Sequence, residues 1–302
     1  MRSTGSWYEV QLESKKIIKC RLRGKLKLKG LKVTNPIAVG DKVVFSFEDE
    51  TNELGMITEI LPRENYIIRQ SVHKTQHAHI LAANLDQAIL LVTLAHPKTS
   101  LGFIDRFLVT AESFRIPTKI VFNKTDLLDE DEKEYLNSLK IIYEKIGYPC
   151  SFTAANTGVG IEEFKNLLVG KKTLLSGHSG VGKSTLINQI APNLDLKTSE
   201  ISDFADKGVH TTTFATMFEL ENDTYLIDTP GIKELGLIDL KKQDIPHYFP
   251  EMRDCLGQCK YHNCSHTKEP KCAVIEKVEN YTISPSRYAS YLSMLEGDDN
   301  RR

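Results

Sequence analysis

The tightest folding requirement in this chain lies at residues 177–184, Gly-His-Ser-Gly-Val-Gly-Lys-Ser. Ahead of it runs Thr173-Leu174-Leu175, an apolar segment of strand length, and behind it Thr185-Leu186-Ile187 opens a helix. A strand that turns through glycines into a helix start aims several backbone N–H groups, and the positive end of the helix, at one point. That geometry cradles phosphate groups, and the strand-before, helix-after context separates the motif from a chance glycine-rich turn. Gly177, His178, Ser179, Gly180, Val181, Gly182, Lys183, Ser184 and Thr185 are therefore expected around the phosphates of a nucleotide. Lys183 is expected to reach the outer phosphates and the Ser184 hydroxyl to hold magnesium. His178 is expected to serve loop shape and hydrogen bonding rather than chemistry.

Such a loop belongs on a mostly parallel sheet covered by helices, and the chain supplies one from about residue 68. Ala88–Val92 reads as a strand, followed by a helix near 103–114, a strand at Lys119–Phe122 and a helix near 130–146. Ser151-Phe152-Thr153, a helix near 161–168 and Tyr225-Leu226-Ile227 complete an α/β pattern. Residues 1–67 differ. In 20–29, Cys20, Leu22, Leu26 and Leu28 share one strand face, and Arg21, Arg23, Lys25, Lys27 and Lys29 share the other. Further strands at 42–47 and 56–61, with turns between them, suggest the five-stranded oligonucleotide-binding (OB) barrel. A third segment, 236–302, ends in a helix with Ser284 as cap, Pro285 in its first turn and an apolar stripe of Tyr288, Tyr291, Leu292 and Leu295. The expected domains are thus 1–67, 68–235 and 236–302.

Hydrophobic residues at 40% and charged residues at 26% describe an ordinary soluble protein, and a net charge of -1 gives no molecule-wide field for nucleic acid. Any such surface must be local. Lys15 to Lys32 holds nine Lys or Arg and no Asp or Glu, which reads either as an RNA-contacting face or as a solvated strand face. No secretory pattern opens the chain and no apolar run is long enough to span a bilayer, so a cytoplasmic protein without membrane contact is expected.

Three further motifs fall at strand ends. In Asn123-Lys124-Thr125-Asp126, the Asp126 carboxylate offers two acceptors to the N1–H and N2–H₂ donors of guanine, a pair adenine lacks, and Lys124 can lie over the base. In Thr153-Ala154-Ala155-Asn156, the Ala155 N–H suits the guanine carbonyl, with Ala154 beside it. In Asp228-Thr229-Pro230-Gly231, Asp228 can hold magnesium through water and the Gly231 N–H can sense a γ-phosphate. Within 208–213, Thr212 is favoured as the second magnesium ligand, although the three threonines there could instead begin a strand. Ile232 follows Gly231, where GTPases such as Ras carry a water-orienting Gln. The chain should therefore turn over slowly by itself. His210 is the internal candidate to orient water or accept a proton, with ordinary loop packing as its alternative.

Four of the six cysteines crowd between Cys255 and Cys272. Cys259, Cys264, His266 and Cys272 form a Cys₃His set suited to one structural zinc ion, in a segment too short to bury much core without it. Cys255 and His262 are the competing ligands.

The motifs stand in an altered order. Asn-Lys-Thr-Asp (123–126) and Thr-Ala-Ala (153–155) precede the phosphate loop instead of following it. A sheet survives that rearrangement if its ends are rejoined elsewhere. The order resembles the circularly permuted GTPases. Among them the whole arrangement is similar to the ribosome small subunit-dependent GTPase A family: the small barrel, Ala83–Gln87, the phosphate loop, His210–Thr213, Asp228–Ile232 and Cys264–Cys272. The resemblance implies GTP hydrolysis stimulated by the small (30S) ribosomal subunit and a role late in that subunit's maturation. It implies GTP or GDP and ribosomal RNA as partners, magnesium with the nucleotide, and zinc on Cys259, Cys264, His266 and Cys272. It also points to His210. The family usually carries Ser where Ala154 stands, so weaker guanine binding is expected. An RNA-binding assembly chaperone with incidental turnover is the alternative. No heptad pattern is present, and a monomer is the default.

Overall fold

The computed structural model describes residues 2–3, 7–24, 36–49, 54–70, 78–194, 215–228 and 240–297. The chain opens in short strands: β1 (Arg2–Ser3), β2 (Tyr8–Gln11), β3 (Ile17–Leu22), β4 (Val43–Asp49) and β5 (Leu54–Ile60). They lie in the order β1-β2-β3-β5-β4, with β3 and β5 parallel and the other pairs antiparallel. Alternation sets the faces. In β3 Ile18 and Cys20 are buried while Ile17, Lys19 and Arg21 face solvent, and Tyr8, Ile37 and Ile57 complete the small core. This is the OB-like barrel expected from the sequence; residues 25–35, with four of the nine cations of the basic run, lie outside the described residues.

An unanticipated hairpin follows, β6 (Tyr66–Gln70) with β7 (Ala78–Ala83). Then comes the parallel sheet: β8 (Gln87–Val92), β9 (Thr118–Phe122), β10 (Cys150–Phe152), β11 (Lys172–Ser176), β12 (Thr216–Glu219) and β13 (Tyr225–Asp228). The order β10-β9-β8-β11-β13-β12 is parallel throughout except for β12, and β1 pairs with the outer edge of β12, making one eleven-stranded sheet with the barrel. Every residue of β8 is buried, as helices on both faces require.

Local chemistry places the helices. Ser100 caps α1 (Leu101–Ser113) by accepting from the Phe103 N–H, and Asp129 with Glu132 forms a capping box on α2 (Glu130–Lys145). The helix α3 (Ile161–Leu168) buries Phe164 and Leu168, and α4 (Lys183–Ile190) buries Leu186 and Ile187, both in the core layer with Ile89, Leu91 and Leu175. Ten of the 13 residues of α1 are buried, because the sheet covers one side and the C-terminal module the other.

That module comprises a 3₁₀ turn at Lys242–Tyr248, α5 (Pro250–Arg253), α6 (Ala273–Glu279) and α7 (Pro285–Glu296). Pro285 does open α7, but the Ser284 hydroxyl pairs with Ser286 Oγ at 2.9 Å and makes no cap bond. The stripe also shifts. Tyr291 is buried with Arg287, Ser290 and Met294, while Tyr288, Leu292 and Leu295 are partly buried. The reason is ionic. Arg287 Nη1 donates to Asp105 Oδ1 of α1 at 2.6 Å, and its Nε donates to Glu251 Oε1 of α5 at 2.7 Å. Tyr143 of α2 donates its hydroxyl to the same Asp105 oxygen at 2.9 Å, and Arg287 lies over the Phe249 ring. Burial drives the Asp105 carboxyl upward against the pull of Arg287, whose own ionisation is held up by Asp105 and Glu251 against burial.

Candidate nucleotide site and metal centre

The phosphate loop leaves β11 and enters α4 as the sequence requires. Gly177 has φ +154 and a Cβ there would lie 2.4 Å from Leu91 O. Gly182, at φ +94, would place one 2.5 Å from Asn123 Nδ2. Only glycine permits both approaches. Ser179 and Gly180 are exposed at the loop's tip, Val181 is buried beneath it, and Ser184 and Thr185 sit half-buried in the first turn of α4. Lys183 lies across the loop, its ammonium donating to Gly177 O at 2.6 Å and His178 O at 2.9 Å, so the charge is held at the loop's mouth. The His178 ring stacks on Phe103 of α1 with centroids 3.8 Å apart, which seats the loop against that helix.

Asn123 ties the Asn-Lys-Thr-Asp loop to the glycine-rich loop. It is buried at the end of β9, donates through Nδ2 to Val181 O at 2.8 Å, and accepts from the Thr153 hydroxyl at 2.9 Å. One amide thus joins all three loops. Lys124 adopts the left-handed conformation and donates to His96 O at 2.6 Å, which holds its stem beside the phosphate loop. Asp126 is exposed, its carboxylate open to a base. The Ala154 N–H is taken by Val159 O at 2.9 Å, while no described residue accepts from Ala155. Asp228 is half-buried at the end of β13 and pairs in register with Leu175, two residues before Gly177. Sequence reasoning missed Thr153, Phe103 and the carbonyl of His96. Only Thr153 carried a signal, as the first residue of the Thr-Ala-Ala loop. His210, Thr212 and Gly231 lie outside the described residues.

The Cys₃His residues also converge. Ligand atoms of Cys259, Cys264, His266 and Cys272 all lie within 4.8 Å of one another. His266 Nδ1 is 3.4 Å from Cys272 Sγ and 3.6 Å from Cys259 Sγ, and those two sulfurs are 3.9 Å apart. A tetrahedral zinc ion with bonds of about 2.0–2.3 Å spaces its ligands by roughly 3.5–3.8 Å, so the donors fit it. Burial pushes the Cys264 and Cys272 thiols up and the His266 imidazole down, so the imidazole is in its ligand form and the thiolates need a cation. Around the centre, Glu269 accepts from the N–H groups of Ser265 (2.7 Å), Thr267 (2.9 Å) and Lys268 (3.1 Å). Burial would raise the Glu269 carboxyl, but these bonds and that of the Ser265 hydroxyl hold it far below its usual range. From α7, Tyr288 and Tyr291 donate to the carbonyls of His266 and Ser265. Cys255 instead sits in the module's core, its thiol on Glu251 O, and His262 is exposed.

On the barrel, Arg21 is already engaged by Glu48 through two bonds of 2.8 and 2.7 Å, whereas Lys19 and Arg23 are exposed.

A permuted sheet with a phosphate loop, a guanine-type base loop and an acid at the adjoining strand end defines a circularly permuted GTPase. The RsgA GTPase family model matches residues 60–238 and the RsgA N-terminal domain matches 1–57. The chain belongs to the RsgA GTPase family, enzymes that hydrolyse GTP. It is 52% identical over 296 residues to the small ribosomal subunit biogenesis GTPase RsgA of Bacteroides fragilis (strain YCH46), covering 98% of this chain and 95% of that one. With the protein of that name from Cytophaga hutchinsonii the identity is 54% over 301 residues, covering 100% and 98%. Among solved structures, YjeQ from Thermotoga maritima aligns with a TM-score of 0.80 at 39% identity, covering 99% of this chain and 96% of that one. YloQ, described as a circularly permuted GTPase, aligns with a TM-score of 0.75 at 29% identity over 99% and 93%.

Proposed function

We propose that this GTPase binds the small (30S) ribosomal subunit, hydrolyses GTP in response to it, and acts late in that subunit's maturation, in the cytoplasm and as a monomer. Its relatives carry small-subunit biogenesis in their name. The observation that carries the reading is the Asn123 brace, which joins the Asn-Lys-Thr-Asp and Thr-Ala-Ala loops to the glycine-rich loop; Asp228 ends the strand beside the one that leads into that loop. In that reading, Asp126, Lys124 and the Ala155 N–H hold the base, the loop from Gly177 to Thr185 holds the phosphates, and Ser184 with Thr212 and Asp228 holds magnesium. That ion would neutralise charge developing on the phosphates. Gly231 senses the γ-phosphate, and His210 orients the attacking water in place of the Gln that Ile232 displaces. The supports for Thr212, Gly231 and His210 are their positions in the sequence.

The proposed domains are an RNA-binding barrel (1–67), the permuted GTPase (68–235) and a zinc module (236–302) holding one structural ion on Cys259, Cys264, His266 and Cys272. No helix among the described residues is long and apolar enough to cross a membrane.

The test is GTP hydrolysis by the purified protein at fixed salt, alone and with small subunits, large subunits or free tRNA. Strong stimulation by small subunits only is expected. Tight GTP binding without stimulation would reassign the chain to a GTP-gated RNA-binding factor.

A further inference from the structure

The barrel and the GTPase share one sheet through a two-residue strand. Arg2 of β1 pairs with Glu9 of β2 on one side and with Thr216 of β12 on the other. Beyond β1, side chains continue the joint. Gln11 Nε2 donates to Glu219 Oε2; Lys15 Nζ donates to Asp223, meets Glu219 at 2.8 Å and the Tyr225 hydroxyl at 2.9 Å, and lies 5.3 Å from the Tyr225 ring centre. Every one of these partners belongs to the hairpin β12–β13. Lys15 on one side and Asn222 and Asp223 on the other all have left-handed backbone, so two tight turns meet.

This hairpin ends at Asp228. The pairing runs as one row: Arg2 with Thr216, Thr216 with Asp228, Asp228 with Leu175. The backbone of Asp228 is therefore held between β11, which leads into the phosphate loop, and β12, whose outer edge is held by the barrel. The C-terminal module is anchored elsewhere, on α1 through Arg287 and Asp105.

We propose that the barrel is a positioning element for the nucleotide site: through β1, Gln11 and Lys15 it fixes the hairpin β12–β13 and so the place of Asp228. Lys15 is the positioning residue whose removal reports this. The proposal rests on the reading of Asp228 as the acid on the magnesium side. Coupling of this kind is reciprocal. An RNA that shifts the barrel changes the setting of Asp228, and a nucleotide that moves Asp228 changes how the barrel sits.

The test uses the full chain as wild type, Lys15→Met, Lys15→Arg, Asp228→Asn and Lys133→Met, the last removing an exposed ion pair with Glu130 far from the hairpin. The readouts are GDP affinity with magnesium and with EDTA, single-turnover GTP hydrolysis, amide exchange over 216–228, and melting temperature. In Lys15→Met, the gain in GDP affinity from magnesium and the hydrolysis rate should each fall by about fivefold, the scale of one half-exposed cluster. Exchange over 216–228 should quicken, while EDTA affinity and melting temperature stay at wild type. Lys15→Arg should restore all of these and Lys133→Met should match wild type. The proposal is overturned if Lys15→Met behaves like Lys133→Met, or if its EDTA affinity and melting temperature fall in step with the rest. An intact magnesium effect in Asp228→Asn overturns the reading of Asp228 and the proposal with it; an intact effect in Lys15→Met alone overturns only the proposal.

Discussion

Asn123 shows how much a single side chain carries here. Its amide reaches a carbonyl 58 positions along the chain and a hydroxyl 30 positions along it. Placing a methyl group at Gly182 should break that arrangement, since it would meet Asn123 Nδ2 and force a left-handed backbone on alanine. Gly182→Ala is expected to lose both stability and nucleotide affinity. Gly147→Ala is the comparison: Gly147 also has positive φ, +97, but nothing lies within 4 Å. It should cost only about 1–2 kcal/mol of strain, read by urea unfolding, with nucleotide affinity unchanged. Asp126→Asn should weaken GTP binding roughly a hundredfold, since it replaces two charge-assisted acceptors, each bond being of order 1.5–3 kcal/mol. The amide can instead accept from N1–H and donate to a 2-oxo group, so xanthosine triphosphate should gain affinity in a competition titration. At this scale the sequence revealed which residues gather but not which hold the others in place. Motif spacing identifies Asn123 as part of the site, yet its partners Val181 and Thr153 meet it only in the fold.

At the level of elements, legibility followed pattern strength. β8, β9 and β11 are apolar runs bounded by turns, and α2 and α3 carry clear helical spacing, so all five were readable. β6 and β7 were not. Ala78, His79, Ala82 and Ala83 have weak strand preference, and the hairpin is held by mutual pairing and by packing such as Tyr66 on Phe114, centroids 5.4 Å apart. Arg287 was hidden for the opposite reason: in a helix pattern an arginine counts as surface, and its two acids lie 36 and 182 positions away. Arg287→Met should leave Asp105 and Glu251 buried without their cation and cost about 3–5 kcal/mol in urea unfolding. Metal removal should act on a different element. A strong chelator is expected to speed amide exchange in 255–275 and in α7, whose Tyr288 and Tyr291 bond to that loop, while β8 and β11 keep their protection.

Across the whole molecule, net charge near zero leaves recognition to local surfaces, and the engagement of Arg21 by Glu48 narrows the barrel's share. Replacing Lys19 and Arg23 together by Gln should weaken small-subunit binding and flatten the slope of log affinity against log salt by roughly 1.5–2, whereas Arg21→Gln should change it little. The permutation could be read from motif order because each motif sits at a strand end; the joining of barrel and GTPase into one sheet could not, since β1 is two residues long and carries no periodicity. The strand order also bears on how the chain is made. Within the GTPase part of the sheet, β8 leaves the translating ribosome first, β9 and then β10 add along one edge, and β11 adds along the other, followed by the β12–β13 hairpin. No strand has to push between two that are already paired, so the sheet can grow outward during synthesis. The exception is the joint with the barrel: Gln11, paired early with Ile17, must wait for Glu219, 208 positions later, so the contacts that join barrel and GTPase are among the last to form.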